Sequence, residues 1–428
     1  MRRPDGQPVR EPFDSDASGP ARVVLGVSGG IAAYKACDLL RRLTESGHDV
    51  TVVPTPAALR FVGSVTWEAL SGKPVSSDVF ADVSTVRHVA LGQSADLVVV
   101  APATADLLAR AASGRADDLL TSTLLAARCP VMFAPAMHTE MWQHPATQAN
   151  VATLRARGCR VLEPASGRLT GADSGPGRLP EPSQIFEAAV HVLCNARQGA
   201  ADDLRGRRVV VSAGGTQERL DPVRFLSNHS SGKQGYALAA AAASRGAEVD
   251  LVSANVSLLP PLGVTVVDVV STVELGEAVH KLAEGADAVV MAAAPADFRP
   301  SAPSEYKIKK RPDGGAAPLK LVQNPDILAG LGHAAPRDPN RVLVGFAAET
   351  GDDRSSILEA AREKLARKKC DLLVVNDVSG GAVFGSDDNA AVILTSDGSS
   401  RHVAQGPKSA LAHAIWDAVY EQWRDRQG

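Results

Sequence analysis

Short apolar runs alternate with longer stretches of helical periodicity along most of the chain. Runs of strand length occur at Val23–Val27, Val50–Val53, Leu97–Val100, Val131–Ala134 and Arg160–Leu162. Between and after them, apolar positions recur every three or four residues over Ala32–Glu45, Ala105–Ala112, Asp118–Ala127, Glu140–Arg157 and Ser183–Asn195. The pattern resumes with strand runs at Val209–Ser212, Val249–Val252, Val264–Val267, Ala288–Met291, Val342–Phe346, Leu372–Val375 and Ala391–Leu394. Helical patterns accompany these at Tyr236–Arg245, Val273–Leu282, Arg354–Lys369 and Ser409–Arg424. Strands that are apolar throughout, joined through helices, are parallel and covered on both faces. The pattern therefore predicts an α/β fold of two doubly wound, mainly parallel-sheet Rossmann-like domains in series.

Each series opens on a strand that breaks into a glycine turn: Ser28-Gly29-Gly30-Ile31 after Val23–Val27, and Gly214-Gly215 after Val209–Ser212. The first 20 residues are rich in Pro, Gly, Asp and Ser and read as a disordered tail. A first domain is expected over 21–196, a linker over 197–207 (small and charged, without apolar periodicity) and a second domain over 208–428.

Composition narrows the function classes. The net charge of −3 implies no nucleic-acid partner. Five scattered cysteines, none in a CxxC pair, support neither a disulfide framework nor a zinc site and fit a reducing cytoplasm. No apolar run approaches the ~20 residues of a spanning helix, and the N-terminal segment has no apolar core of a secretory signal.

Ligands of open parallel sheets sit at the carboxyl ends of the strands. That directs attention in the first domain to Ser28-Gly29-Gly30, Thr55, Ala101-Pro102-Ala103-Thr104 and Ala136-Met137-His138. The Ser28–Ile31 turn would suit a phosphate through its backbone N–H groups, or would simply be a tight strand-to-helix turn; it is neither GxGxxG nor a Walker A loop. His88 stands between two strands, where a histidine is either structural or a proton carrier.

In the second domain, donors and acceptors crowd the loop from Asp221 to Gly232, which includes Arg224 and Asn228. They suit an anionic ligand, or cap the next helix. Met291-Ala292-Ala293 and Asp297 end a strand, and Lys307 follows in a basic KIKK run. Lone, that run would be a solvated edge; beside Asp297 it suits a triphosphate with magnesium. Asn324-Pro325-Asp326-Ile327 predicts a helix start with Pro325 at its first position. Lys364 and Lys368 share one helical face, as surface lysines or as a cationic pair.

The first-domain motifs VSGGIAAYK, RHVAL, APATADLLA, PAMHTEMW and GPGRLPEP, in this order, resemble the flavin-dependent cysteine decarboxylases over about Val23 to Asn195. The resemblance implies a flavodoxin-like domain that binds FMN and decarboxylates a cysteine-derived carboxylate without net redox change. It implies FMN contacts from Ser28, Gly29, Gly30, Ile31, Thr55, Ala101, Pro102, Ala103 and Thr104. His88 would be the active-site histidine, with Ala136, Met137, His138 and Arg178 toward the substrate. Two positions depart from the family: His138 replaces the usual asparagine, and Gly171, between Thr170 and Asp173, stands where relatives commonly carry the proton-donating cysteine. Cys159 lies earlier, in an expected strand.

From about Arg207 to the end, DPVRFLSNHSSGKQGY, AAAPADF, KIKK, NPDI, GFAAET and ARKKCDLLVVND resemble phosphopantothenate–cysteine ligases. The fused order resembles the bifunctional coenzyme A biosynthesis family of bacteria. It implies that CTP activates 4′-phosphopantothenate as an acyl-cytidylate, which cysteine then attacks, followed by decarboxylation to 4′-phosphopantetheine. The implied nucleotide contacts are Gly214, Gly215, Met291, Ala292, Ala293, Asp297, Lys307, Asn324, Pro325, Asp326, Ile327, Phe346, Lys364 and Lys368. Asp297 would also meet Mg²⁺. Arg224, Asn228 and Lys307 would act on the reacting groups. By the same analogy the flavin domains form trimers that assemble further. The rival readings are a flavin-domain regulatory protein with impaired decarboxylase activity and an NAD-dependent reductase; the ligase half and the missing GxGxxG weigh against them.

Overall fold

The computed structural model describes residues 20–77, 86–168, 174–198, 202–309, 318–349, 354–377 and 388–427. The chain divides into two compact units, Met1–Ala201 and Asp202–Gly428.

The first unit holds β1 (Arg22–Val27), β2 (Asp49–Pro54), β3 (Leu97–Ala103), β4 (Val131–Pro135) and β5 (Arg160–Val161). They form one parallel sheet in the order β2-β1-β3-β4-β5. The strands are apolar throughout because both faces are covered. Leu25, Val52, Leu97 and Val99 meet Leu39, Leu40, Leu43 and Ile185 on one side. Val24, Val53, Val98 and Val100 meet Leu107, Leu108 and Leu119 on the other. This is the flavodoxin-like order, whose ligand crevice opens between β1 and β3, where the winding reverses.

Three details differ from expectation. The pattern over 140–157 is two helices, Thr139–Gln143 and Pro145–Ala156, because Pro145 can start a helix but not continue one. Residues Arg87–Ser94 form a helix carrying His88, too short and too weakly amphipathic to read from periodicity. A glycine-rich antiparallel hairpin, β6 (Ala165–Arg168) and β7 (Ser174–Arg178), lies beyond β5. Gly171, Thr170 and Asp173 fall outside the described residues.

The second unit contains β8 (Arg208–Gly214), β9 (Gln217–Arg219), β10 (Phe225–Ser227), β11 (Glu248–Ala254), β12 (Val264–Val269), β13 (Ala288–Met291), β14 (Phe298–Pro300), β15 (Leu321–Gln323), β16 (Val342–Glu349), β17 (Leu372–Asp377), β18 (Asp388–Thr395) and β19 (Ser400–Pro407). Its main sheet runs β12-β11-β8-β13-β16-β17-β18-β19. Pairing is parallel from β12 to β17, and β18 and β19 close the edge antiparallel. Strand β19 is polar and mostly exposed, so no apolar run announces it. The winding reverses between β8 and β13, which places the second crevice there. Two small antiparallel ribbons, β9 with β10 and β14 with β15, flank that region.

The described residues of the expected linker over 197–207 are structured. The helix Pro182–Gln198 runs into its start. Residues 202–206 form turns, and Leu204 is buried in the second unit's core, its N–H donating to the Arg245 carbonyl at 3.0 Å. One buried leucine in a charged stretch is too weak a signal to reveal this.

Candidate functional sites

Both switch points are built around a serine in or just after the first strand. Ser28, buried beyond β1, donates its hydroxyl to the Pro102 carbonyl at 2.7 Å and accepts the Thr104 N–H at 3.0 Å. Ser212, buried in β8, accepts the Ala293 N–H at 3.1 Å. Each hydroxyl ties the central strands together where the crevice opens. Gly29 lets the loop after β1 lie against the loop after β2: a Cβ there would stand 2.4 Å from Ala57 Cβ. Gly214 is needed twice over, by its φ of +85° and because a Cβ would stand 2.1 Å from the Ala254 carbonyl oxygen.

The first crevice holds a cavity of about 540 Å³. Gly30, Ile31, Pro102, Thr104, Ala136, Met137, His138 and Arg178 line it. Ser28, Thr55, Ala101 and Ala103 stand behind this wall, fully buried or nearly so. The Thr55 hydroxyl accepts the Ala58 N–H at 3.2 Å, so it shapes the loop. The β7 hairpin closes one side, with the Met137 N–H on the Gly177 carbonyl at 2.9 Å. A Cβ at Gly177 would meet the Met137 carbonyl oxygen at 2.3 Å, which explains a glycine there.

Tyr34, Lys35, Met141 and Leu179 also line the cavity and are absent from the sequence-derived set. Lys35 Nζ lies 3.2 Å from Glu181 Oε1, and Arg178 pairs with the same carboxylate. Burial pushes the Glu181 pKa up, but Lys35 and Arg178 outweigh it and hold the carboxyl below its usual range. Two cations against one carboxylate leave the cavity mouth with one net positive charge. Lys35 closes the motif VSGGIAAYK and Glu181 stands in GPGRLPEP, so both lay within the quoted motifs although neither was singled out. His138 begins the helix Thr139–Gln143 without capping it, its Nδ1 3.7 Å from Glu140. His88 is not among the lining residues; its Nδ1 is buried with no hydrogen-bond partner among the described residues.

In the second unit, Met291, Ala293, Asp297, Asn324, Pro325, Asp326, Ile327, Phe346, Lys364 and Lys368 line one cavity of about 180 Å³. Four segments distant in sequence thus converge at the ends of β13 and β16. Gly214, Gly215 and Ala292 flank it at the switch point, where Gly215 bridges to Ala294. Asn324 is mostly buried; its Nδ2 donates to the Ala296 carbonyl at 2.8 Å, and its N–H to the Asp297 carbonyl at 2.8 Å. Pro325 precedes the helix rather than starting it: Asp326 is the N-cap of Ile327–Gly332, accepting the Ala329 N–H at 3.0 Å. Lys368 pairs with Asp326, and burial lowers its pKa against the opposing effects of Cys370 and Asp297. Among the described residues no cluster of His, Cys, Asp and Glu could hold a metal ion by itself.

Arg224 and Lys307 form a separate group. The Arg224 guanidinium is engaged by Asp221 and the Ile308 carbonyl, so the fork is not wholly open to a ligand. Lys307 is exposed on the segment held by that arginine and does not line the cavity. Asn228 joins the two groups, its Nδ2 donating to the Pro295 carbonyl at 2.9 Å at the cavity edge.

Comparison with known proteins agrees with this division. Residues 14–194 match the Flavoprotein family model, and residues 204–422 match the DNA/pantothenate metabolism flavoprotein C-terminal domain. A coenzyme A biosynthesis bifunctional protein CoaBC of Mycobacterium tuberculosis is 59% identical over 404 residues, covering 94% of this chain and 96% of that one. A crystal structure of the C-terminal domain of a CoaBC protein is 34% identical, covering 53% of this chain and all of that one, with a TM-score of 0.44. The FMN-dependent cysteine decarboxylase SpaF is 35% identical over 42% of this chain and 98% of that one, with a TM-score of 0.37.

The fold, the two crevices and the family models define a two-domain enzyme, a flavoprotein joined to a pantothenate-metabolism domain. The chain belongs to the family of coenzyme A biosynthesis bifunctional proteins CoaBC. It is a phosphopantothenoylcysteine decarboxylase and a phosphopantothenate–cysteine ligase.

Proposed function

We propose that the crevice of the second unit carries out ligation with CTP and that the crevice of the first binds FMN and carries out decarboxylation. The observation that carries this reading is the convergence of Asp297, Asn324–Ile327, Phe346, Lys364 and Lys368 on one cavity beside Gly214 and Gly215. Lys364 and Lys368 face the concentrated charge of a triphosphate, and Phe346 packs beside the nucleotide. Asp297 would help to hold Mg²⁺, which would neutralise charge on the triphosphate. The carboxylate of 4′-phosphopantothenate attacks the α-phosphorus of CTP and expels pyrophosphate. The amine of cysteine then attacks the acyl-cytidylate carbonyl and expels CMP. Arg224, Asn228 and Lys307 orient the reacting groups.

The first cavity suits FMN in size, about 540 Å³ within the roughly 300–1,000 Å³ of ligand sites, and in its apolar lining with one net positive charge. Gly30, Ile31, Pro102 and Thr104 hold it, with Ser28, Gly29, Thr55, Ala101 and Ala103 fixing the walls. FMN supplies the electron sink that the carboxylate of a cysteine derivative lacks. His88 moves a proton, and Ala136, Met137, His138 and Arg178 meet the substrate. Ile31 and Tyr34, 70% and 60% exposed at the cavity mouth, favour a site completed by neighbouring copies, as trimers that assemble further. Five cysteines without a disulfide fit a cytoplasmic enzyme.

Purified protein is expected to carry visible flavin absorbance and to release pyrophosphate from CTP only with 4′-phosphopantothenate present. Lys368→Gln is expected to raise the KM for CTP about 10-fold, as loss of a charge-assisted contact would. An unchanged KM would remove Lys368 from the nucleotide site.

A further inference from the structure

Asp221 has 2% of its surface exposed, yet none of the roles above uses it. Its Oδ1 accepts the backbone N–H groups of Val223 and Arg224, both at 2.8 Å, which closes the turn after β9. Its Oδ2 reaches outside the turn. It accepts Arg224 Nε at 2.9 Å and Nη2 at 2.5 Å, and the backbone N–H of Ile308 at 3.1 Å. Arg224 Nη2 also donates to the Ile308 carbonyl at 2.7 Å. The Ser304 N–H reinforces the junction on the Leu220 carbonyl at 2.9 Å. One carboxylate therefore locks two segments distant in sequence, one carrying Arg224 and one carrying Lys307.

We propose that Asp221 is a positioning residue for ligation, holding Arg224 and the Lys307 segment in one fixed relation so that both cations meet the same substrate. Three of its five hydrogen bonds exceed what the turn needs. Arg224 keeps 48% of its side chain exposed and Lys307 is exposed, so their anchoring leaves surface for a ligand. The Arg224 pairing, against burial and with help from the backbone N–H groups of Val223, Ile308 and Arg224, keeps the Asp221 carboxyl well below the usual carboxylate range. The clamp is thus ionised wherever the enzyme works. Asp221 lines neither cavity, so its influence passes through Arg224 and Lys307. The proposal rests on the reading that those two residues serve the ligase.

The test is a double-mutant cycle on the full chain, with pyrophosphate release as readout. Asp221→Asn keeps the turn-closing acceptor. It is expected to lower kcat about 10- to 100-fold, the scale of a misplaced contact group, while the KM for CTP stays within about threefold. Asp221→Asn combined with Arg224→Gln is expected to be slower than Arg224→Gln alone by less than the factor that Asp221→Asn costs by itself, because part of the Asp221 effect passes through that side chain and the rest through the Lys307 segment. Multiplying effects, a normal kcat for Asp221→Asn, or a KM for CTP rising in step with the loss would each overturn the proposal. A normal rate for Arg224→Gln alone would instead refute the role of Arg224, and the positioning role would fall with it. If Asp221→Asn does not fold, Ile308→Pro removes the outer N–H at a partly exposed position, and a normal kcat there overturns the proposal.

Discussion

His88 shows what a single residue can reveal before any ligand is considered. A buried polar atom left without a partner costs about 1–3 kcal/mol, and the Nδ1 of His88 has none among the described residues. A group that completes that hydrogen bond recovers the cost, and the proposed role in decarboxylation would supply one. His88→Asn is expected to abolish carbon dioxide release from 4′-phosphopantothenoylcysteine while leaving ligation intact; retained decarboxylation would remove His88 from the chemistry. Lys35, Glu181 and Asp221 stand inside the quoted motifs, but they matter through partners up to 146 positions away, and no local pattern encodes such pairings. The residues found from sequence sit at strand ends, where parallel-sheet geometry restricts the possibilities.

Among the elements, the turn after β1 bears the tightest constraint. Gly29 has Ala57 Cβ 2.4 Å and the Ala57 carbonyl carbon 2.9 Å from where its own Cβ would stand, so neither loop can yield cheaply. Gly29→Ala is expected to destabilise the first unit by about 1–3 kcal/mol, the cost of overpacking, and to lower flavin retention. Wild-type melting with full flavin content would contradict this. The helix Pro182–Gln198 buries His191, and burial pushes its pKa from 6.5 down to about 4. Between those values the unfolded chain takes up a proton that the folded chain refuses, so stability falls as pH drops. The full loss is up to about 3 kcal/mol. Melting temperature should decline on acidification from neutral, and less steeply in His191→Leu; an equal slope would exclude His191 as a cause. Long amphipathic helices and apolar strands were legible. The helix Arg87–Ser94, the ribbons β9–β10 and β14–β15 and the polar edge strand β19 were not, because each is short or polar.

For the whole molecule, alternation predicted two doubly wound sheets, and both are present. Strand order is another matter, since it depends on which strands pair across long stretches of chain. The order β2-β1-β3-β4-β5 in one unit and the antiparallel β18 and β19 in the other are visible only in the fold. Yet these orders set the two switch points, and each switch point opens onto a cavity lined by the motif residues. The central claim is that one chain performs both reactions. Its most direct test supplies 4′-phosphopantothenate, cysteine, CTP and Mg²⁺ to purified protein and identifies the products by mass spectrometry. The expected result is 4′-phosphopantetheine, with one CMP, one pyrophosphate and one carbon dioxide per turnover. Accumulation of 4′-phosphopantothenoylcysteine would contradict the decarboxylase half, with Gly171 and His138 the first positions to replace. Absence of CMP would contradict the ligase half.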